Sequence, residues 1–479
     1  MGEKLTAFVA MDGVQRKHAR RTQVQRDLHD LQGRVGAWLS QWKARDQEQF
    51  GRYHSQLKTI EALFGQVFHE FAGHLERLST EASSGQLYDE CRKLAEGVVW
   101  LERMWEFIRL KLDQRLGDTP VAQLLRAADE VVWSCYRPVI RNLPPGHPAI
   151  QRATPPLTYL EPEYSPAAAQ FDRPLPPSLR FTSTDPRLNS CVQNIPIATL
   201  RLTPWCVSAP WWLVLIGHEV GHHIQHELEL VGTFAEGVSS AATAAGVAES
   251  TTRYWSAWSE EIFADACFLV TIGPSAIRAI TELEWTVPAS LCRRKPNYPA
   301  PVIRIALLTR LAIRLGMDSS TALPLKELED MALSTPATKE DWSVIEGVID
   351  LIERPIGNLP KSLEALFGCA RAEFAPRGRV AVWAQGLCGI STVTPKKATI
   401  DARHMASAAF YAWGQLLSEP EATCSDGLRR LESLVPQAVL DCAEQCTRAG
   451  PSTTASVTAT SARRITAALF GEPSSDGFH

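Results

Sequence analysis

The sequence predicts a mainly α fold, with an N-terminal helical bundle, a second helical domain and a small edge-strand sheet. Three observations carry this expectation. Apolar residues recur at helical spacing through the first ~140 residues. A second series of amphipathic runs follows Pro210. Between the two, Ile197 to Thr203, "IATLRLT", alternates apolar and polar residues as a half-buried strand does. With 479 residues, 45% hydrophobic and 21% charged, the chain has the composition of an ordinary globular protein and the length for two to four domains.

In order, the first run spans Gln23 to Leu78, with Leu28, Leu31, Val35, Trp38 and Trp42 followed by Leu57, Ile60, Phe64, Val67, Phe71, Leu75 and Leu78. It reads as two long amphipathic helices or one bent helix. Leu94 to Leu116 and Val121 to Val139 continue the pattern, which makes residues 1–140 a helical bundle. The first sixty residues hold eleven Lys/Arg against six Asp/Glu, a bias that suits a solvated helix face. Prolines then crowd residues 141–196, in "RNLPPGHP", "TPPLTYLEPEYSP" and "DRPLPPSLRF". Proline removes backbone donors and breaks helices, so this segment is expected to be extended. Residues 197–320 hold the strand and the chemistry-bearing motifs. Residues 321–449 read as helical again, and the Ser-, Thr- and Ala-rich residues 450–479 as a poorly ordered tail.

A net charge of −4 and a pI near 6.3 give no basic footprint for nucleic acid. The eleven cysteines form no CxxC pair, and "MGEKLTAFVAMDGVQRK" carries charges where a signal peptide needs an apolar stretch. No run reaches the ~18–20 apolar residues of a membrane span. The expectation is a cytoplasmic protein with reduced thiols, with neither nucleic acid nor membrane as a partner.

The chemistry concentrates in "WWLVLIGHEVGHHIQHELEL", Trp211 to Leu230. Pro210 suits a first helical turn and Gly232 an exit, so one helix from about Pro210 to Val231 is predicted. Within it His218, Glu219 and His222 spell HExxH. Histidines four apart project from one face, offset by only ~40°, and both can reach one metal ion. Glu219 lies about 100° round the helix from His218, where a carboxylate can accept a proton from water activated at the metal. Trp211, Trp212, Leu213 and Leu215 pattern with the core. Gly217 and Gly221, each unfavourable in a helix by up to ~1 kcal/mol, suggest close approach of a neighbouring backbone.

A catalytic zinc site needs a third protein ligand and an open fourth position. His226 lies eight residues beyond His218, ~12 Å along the helix, too far to share the ion. Gln225 and Leu228 stand where the metzincin pattern needs Gly and His. "WSEEIFADACFLV", Trp258 to Val270, offers Glu261 and Asp265, one turn apart on a helix expected to begin near Thr251 and stop at Gly273 and Pro274. Glu260 is the rival ligand, with its side chain directed about 100° from that of Glu261.

HExxH followed by ExxxD resembles the gluzincin clan of zinc metallopeptidases. The resemblance implies that His218, His222 and Glu261 bind one Zn2+ per chain, that Glu219 is the general base, and that Asp265 orients a ligand histidine, His218. The gap between the motifs looks more like the branch of CAAX-prenyl endopeptidases and their soluble relatives than the thermolysin branch. In "NYPAPVIRI", Tyr298 stands where that branch has His and Arg304 where it has Arg, so both are candidate catalytic groups able to stabilise an oxyanion. The resemblance spans roughly residues 195 to 310 and makes 197–320 a helical metallopeptidase domain. The branch's membrane helices are missing, so its lipidated substrates do not carry over.

The expected function is zinc-dependent endopeptidase hydrolysis of an intracellular protein or peptide, which would add as an extra strand at Ile197 to Thr203. A regulatory protein or ligand could uncover the cleft. The alternative is a metal-stabilised, catalytically silent scaffold working through its helical bundle.

Overall fold

The computed structural model describes residues 13–48, 51–78, 84–145, 147, 155–161, 183, 185–284, 287–317, 324–389, 401–443 and 455–470. It is mainly α with a two-stranded sheet. The first apolar runs form three helices: α1 (Gly13–Glu48), α2 (His54–Arg77) and α3 (Ser84–Asp113). Leu31, Ile60, Phe64, Val67, Phe71, Leu101 and Ile108 make one shared core and are almost fully buried. The period-3.6 pattern of α1 to α3 is thus consumed in mutual packing.

Helix α4 (Pro120–Asn142) starts where the Thr119 hydroxyl accepts from the Ala122 N–H at 3.1 Å, with Pro120 in the first turn. Its pattern reads as bundle, but Leu124 to Val139 pack in the larger core instead. Strand β1 (Leu157–Leu160), helix α5 (Pro186–Val192, capped by Asp185) and strand β2 (Thr199–Leu202) follow. The strands run parallel, with Leu157 opposite Thr199 and Leu160 opposite Leu202. The Pro-rich stretch is therefore extended only in part, since it contributes a strand and a short capped helix. Residues 146, 148–154, 162–182 and 184 lie outside the described residues.

Helix α6 (Ile216–Glu227) follows a 3₁₀ segment at Pro210–Leu215. The single helix expected from Pro210 to Val231 is thus divided. It also ends early: Glu229 adopts φ 55°, and the Leu230 N–H reaches back to the Gln225 carbonyl at 2.9 Å. This is a Schellman-type stop with Glu229 in the position usually given to glycine. Val231 opens α7 (Val231–Ala244), so Gly232 lies inside a helix, not at an exit. The second expected helix is also two: α8 (Glu249–Ala257) and α9 (Ser259–Ile272), broken at Trp258, whose indole N–H donates to the Lys295 carbonyl at 3.0 Å. Helix α9 stops at Gly273, φ 75°, where a Cβ would run into the Phe374 ring.

Helices α10 (Ser275–Glu284), α11 (Pro301–Arg314), α12 (Leu325–Leu333), α13 (Pro336–Ile352), α14 (Arg379–Leu387), α15 (Ala402–Leu416) and α16 (Glu421–Asp441) complete the larger core. The supposed tail forms α17 (Ala455–Phe470), with Ala462 and Ile465 buried in the N-terminal core. Phe470 packs on Phe71 at 4.8 Å and on His74 at 4.7 Å between ring centroids. Tertiary burial, which local composition does not report, orders this segment; residues 450–454 and 471–479 lie outside the described residues.

The two cores are joined by a buried polar clasp. Arg115 donates through Nε and Nη2 to Asp129 at 2.6 and 2.9 Å, while the hydroxyls of Tyr53 and Thr158 donate to the same carboxylate at 2.9 and 2.6 Å. Among the described residues, no helix is long and apolar enough to cross a membrane.

Candidate metal centre

Helices α6 and α9 pack backbone to backbone. A Cβ on Gly221 would lie 2.8 Å from Ala264 Cα and 3.1 Å from the Ala264 carbonyl oxygen; one on Gly217 would meet Ile272, Thr271 and Phe268 at 2.7 to 3.0 Å. Glycine at both positions lets the helices approach this closely. The approach brings the first turn of α9 beside the HExxH face.

There, three ligand atoms converge. His218 Nε2 lies 3.2 Å from His222 Nε2 and 3.2 Å from Glu261 Oε2, and His222 Nε2 lies 3.6 Å from Glu261 Oε2. A tetrahedral ion with bonds of about 2.0–2.1 Å spaces its ligand atoms about 3.3–3.4 Å apart. The triangle therefore has the size that one ion spans, and the group can hold a metal ion. The side chains are only 12%, 3% and 10% exposed, and Glu261 Oε2 is buried without a hydrogen-bond donor. An orphaned carboxylate oxygen facing two imidazole nitrogens is the arrangement a cation satisfies.

Behind the triangle, His218 Nδ1 lies 3.0 Å from Asp265 Oδ1, in a bent contact short of ideal hydrogen-bond alignment. Asp265 is gripped in turn by Arg304 of α11, whose Nε and Nη2 donate to its two oxygens at 2.5 and 2.7 Å. Arg304 Nη1 donates to Glu284 Oε1 at 3.1 Å, and Lys295 donates to the other Glu284 oxygen at 2.5 Å. The guanidinium thus spends its donors on carboxylates, with Nη2 4.0 Å from Glu261 Oε2. The family resemblance pointed to Arg304 as a group near the centre but held no signal for Glu284, which stands 20 residues earlier at the end of another helix.

These contacts set the protonation states. Burial pushes the His218 imidazole down, but Asp265 and Glu261 outweigh it and raise its pKa to about 10. Burial opposes ionisation of Glu261 too, yet His222 and His218 hold it well below the ordinary carboxylate range. Asp265 is held low, against burial, by Arg304 and His218. A cation taking the place of the His218 proton would keep the charge pattern that these neighbours favour.

Tyr298 sits on the loop before α11, with its ring 5.3 Å from the Arg304 guanidinium carbon. Burial, then the Glu261 carboxylate, raise its hydroxyl above the ordinary phenol range; Arg304 opposes them, and Glu219 and Asp265 add to the rise. Tyr298 is therefore a protonated hydrogen-bond donor. Its loop is pinned at Lys295 by Trp258 and at Arg294, which donates through Nε and Nη2 to Asp341 at 2.8 Å each. Glu219 is partly exposed on the first turn of α6, beside His218.

The remaining polar groups lie elsewhere. His226 pairs with Glu260 at 3.0 Å, one turn along from the triangle. The rival ligand Glu260 is thereby engaged with His226. His223 turns to Tyr136 of α4, with ring centroids 5.4 Å apart, and burial pushes its pKa down to about 3. Trp211 and Leu213 are buried, while Trp212 is half-buried against Trp205, Phe410 and Trp413. Comparison with protein-family models, with curated proteins and with solved structures finds no match to this chain.

Proposed function

We propose that the chain is a zinc-dependent endopeptidase acting on a protein or peptide. The observation that carries this reading is the buried triangle of His218, His222 and Glu261 with a carboxylate, Glu219, beside the two histidines on their helix. Two histidines and one glutamate form a ligand set that leaves a fourth position open, whereas structural zinc sites close it, usually with Cys or His. When bound, zinc supplies Lewis acidity, lowering the pKa of water towards ~7 and polarising the scissile carbonyl.

The protein's own groups would do the rest. Glu219 takes a proton from the attacking water and delivers it to the leaving amine. Asp265 fixes the ring of His218 so that Nε2 faces the ligand triangle. The Tyr298 hydroxyl donates to the oxyanion as it forms. Arg304, already bonded to Asp265 and Glu284, supports the centre through those carboxylates. Among the described residues β2 pairs with β1 alone, and an extended substrate would add along its other edge.

Glu219→Gln tests the assignment. It should retain about one zinc per chain and lose peptide hydrolysis by at least ~100-fold. Cleavage at the wild-type rate would remove Glu219 from its role. Wild-type protein that holds zinc but cleaves no peptide in a broad library would favour the silent scaffold.

A further inference from the structure

We propose that Glu284 is a positioning residue for the metal centre: it holds Arg304 on Asp265 and away from Glu261. This inference rests on the metal-binding reading of His218, His222 and Glu261. Arg304 faces three carboxylates, and its donors are divided among them unequally. Nε and Nη2 are bonded to Asp265, Nη1 to Glu284 at 3.1 Å, and Glu261 Oε2 lies 4.0 Å from Nη2. Arg304 is 6% exposed, so no solvent competes effectively for a donor released inside the site. Among the described residues, a guanidinium that lost Glu284 has an unsatisfied acceptor to turn to in Glu261 Oε2, 4.0 Å from Nη2. That oxygen is the ligand atom of the triangle, and an arginine bound to it competes directly with a cation.

Glu284 is itself built in for this task. Its side chain is 10% exposed, and its second oxygen is tied to Lys295, a 45% exposed residue on the Tyr298 loop. Each carboxylate along the line from His218 outward is thus matched by a cation: Asp265 by Arg304, and Glu284 by Arg304 and Lys295. A residue serving only to join α10 to α11 would need no carboxylate pointed at a guanidinium that holds the partner of a ligand histidine.

The test uses full-length Glu284→Met, close in size but without an acceptor, and Glu284→Gln, which keeps an oxygen for Arg304 Nη1. Three readouts are compared with wild type: zinc affinity by competition with a chromophoric chelator, the visible d–d bands of the cobalt-substituted protein, and thermal melting of the metal-free protein. The Met variant should bind zinc about 10-fold more weakly, with shifted or weakened cobalt bands, and the Gln variant within about threefold of wild type with its bands preserved. Wild-type affinity and bands in the Met variant, even with a lower melting temperature, would overturn the proposal and leave Glu284 a purely structural residue. Equal losses in both variants would overturn it as well. Should the Met variant fail to fold, Glu284→Asp, one methylene short of Arg304, gives the same reading: weakened zinc binding supports the role and wild-type binding refutes it. Absence of zinc and cobalt binding in the wild-type protein would instead strike the metal reading itself, and it is visible before any variant is made.

Discussion

Gly221→Ala places one methyl group against the backbone of α9 beside the metal centre. Its Cβ would stand 2.8 Å from both Ala264 Cα and Cys267 Cβ, whereas unstrained carbon contacts settle at about 3.5–4.0 Å. Ala264 presents backbone there, so no rotamer change relieves the clash, and α6 and α9 must separate by roughly 0.7 Å. His222 follows Gly221 directly and Glu261 lies one turn before Ala264, so the separation passes into the His222–Glu261 edge of the triangle, now 3.6 Å. Metal–ligand distances tolerate only about ±0.2 Å. Zinc affinity should therefore fall by at least ~30-fold, about 2 kcal/mol. The metal-free fold suffers less, because overpacking costs about 1–3 kcal/mol and alanine returns up to ~1 kcal/mol of helix propensity. Zinc competition assays and urea unfolding of the metal-free protein separate the two effects. Gly232→Ala, where an added Cβ meets nothing within 4 Å, is the control and should leave affinity unchanged. A Gly221→Ala protein that binds zinc within about threefold of wild type would refute the claim that this contact sets the ligand spacing.

Elemental analysis of protein purified without added metal should find about one zinc per chain, lost in Glu261→Ala and kept in Glu260→Ala; loss in the Glu260 variant alone would reverse the ligand assignment. His404 is buried against the edge of Phe374 with neither ring nitrogen hydrogen-bonded and Nδ1 3.7 Å from Asp401 Oδ2, and burial, against the pull of Asp401, lowers its pKa from 6.5 to about 4. Between those values the unfolded chain takes up the proton first, so His404 favours folding above pH 6.5 and that contribution is lost as pH falls towards 4. His404→Leu should remove roughly 2 kcal/mol from the stability difference between pH 7 and pH 5 in chelator-treated protein; identical urea midpoint shifts in both proteins would contradict this. Asp129→Asn breaks the clasp around Arg115 and should destabilise the fold by about 3–5 kcal/mol, measured by urea unfolding, and a loss below ~1 kcal/mol would show the clasp to be dispensable.

The mainly helical class and the face shared by the residues within each motif were legible because both depend on periodicity; that the two motifs meet at one place was implied by the family resemblance. Four-residue spacing puts His218 and His222 on one face of a helix, and the same spacing puts Glu261 above Asp265, whatever the rest of the chain does. The glycines at 217 and 221 forecast a close helix pair, and the structure shows that pair. Helix boundaries were less legible because tertiary contacts override local signals. Trp258 interrupts α8 and α9 where its indole meets the Lys295 carbonyl, and Glu229 ends α6 in a conformation that glycine more often takes. The order of α17 could not be read from a Ser- and Thr-rich sequence, since it derives from burial against Phe71. Arg304 and its partners Asp265 and Glu284 belong to three separate helices, and no linear spacing connects Glu284 to Asp265.

The contact between Phe71 and Phe470 also bears on the order in which the protein is made. It joins residues about 400 positions apart, and at roughly 5–20 residues per second the second ring leaves the ribosome some 20 to 80 s after the first. During that interval α2 can find α1 and α3, but the groove filled by Ala462, Ile465 and Leu469 stays open to water. The N-terminal core is thus among the first regions synthesised and among the last completed. Its apolar groove needs cover throughout translation, and a chain halted before α17 would carry that groove exposed.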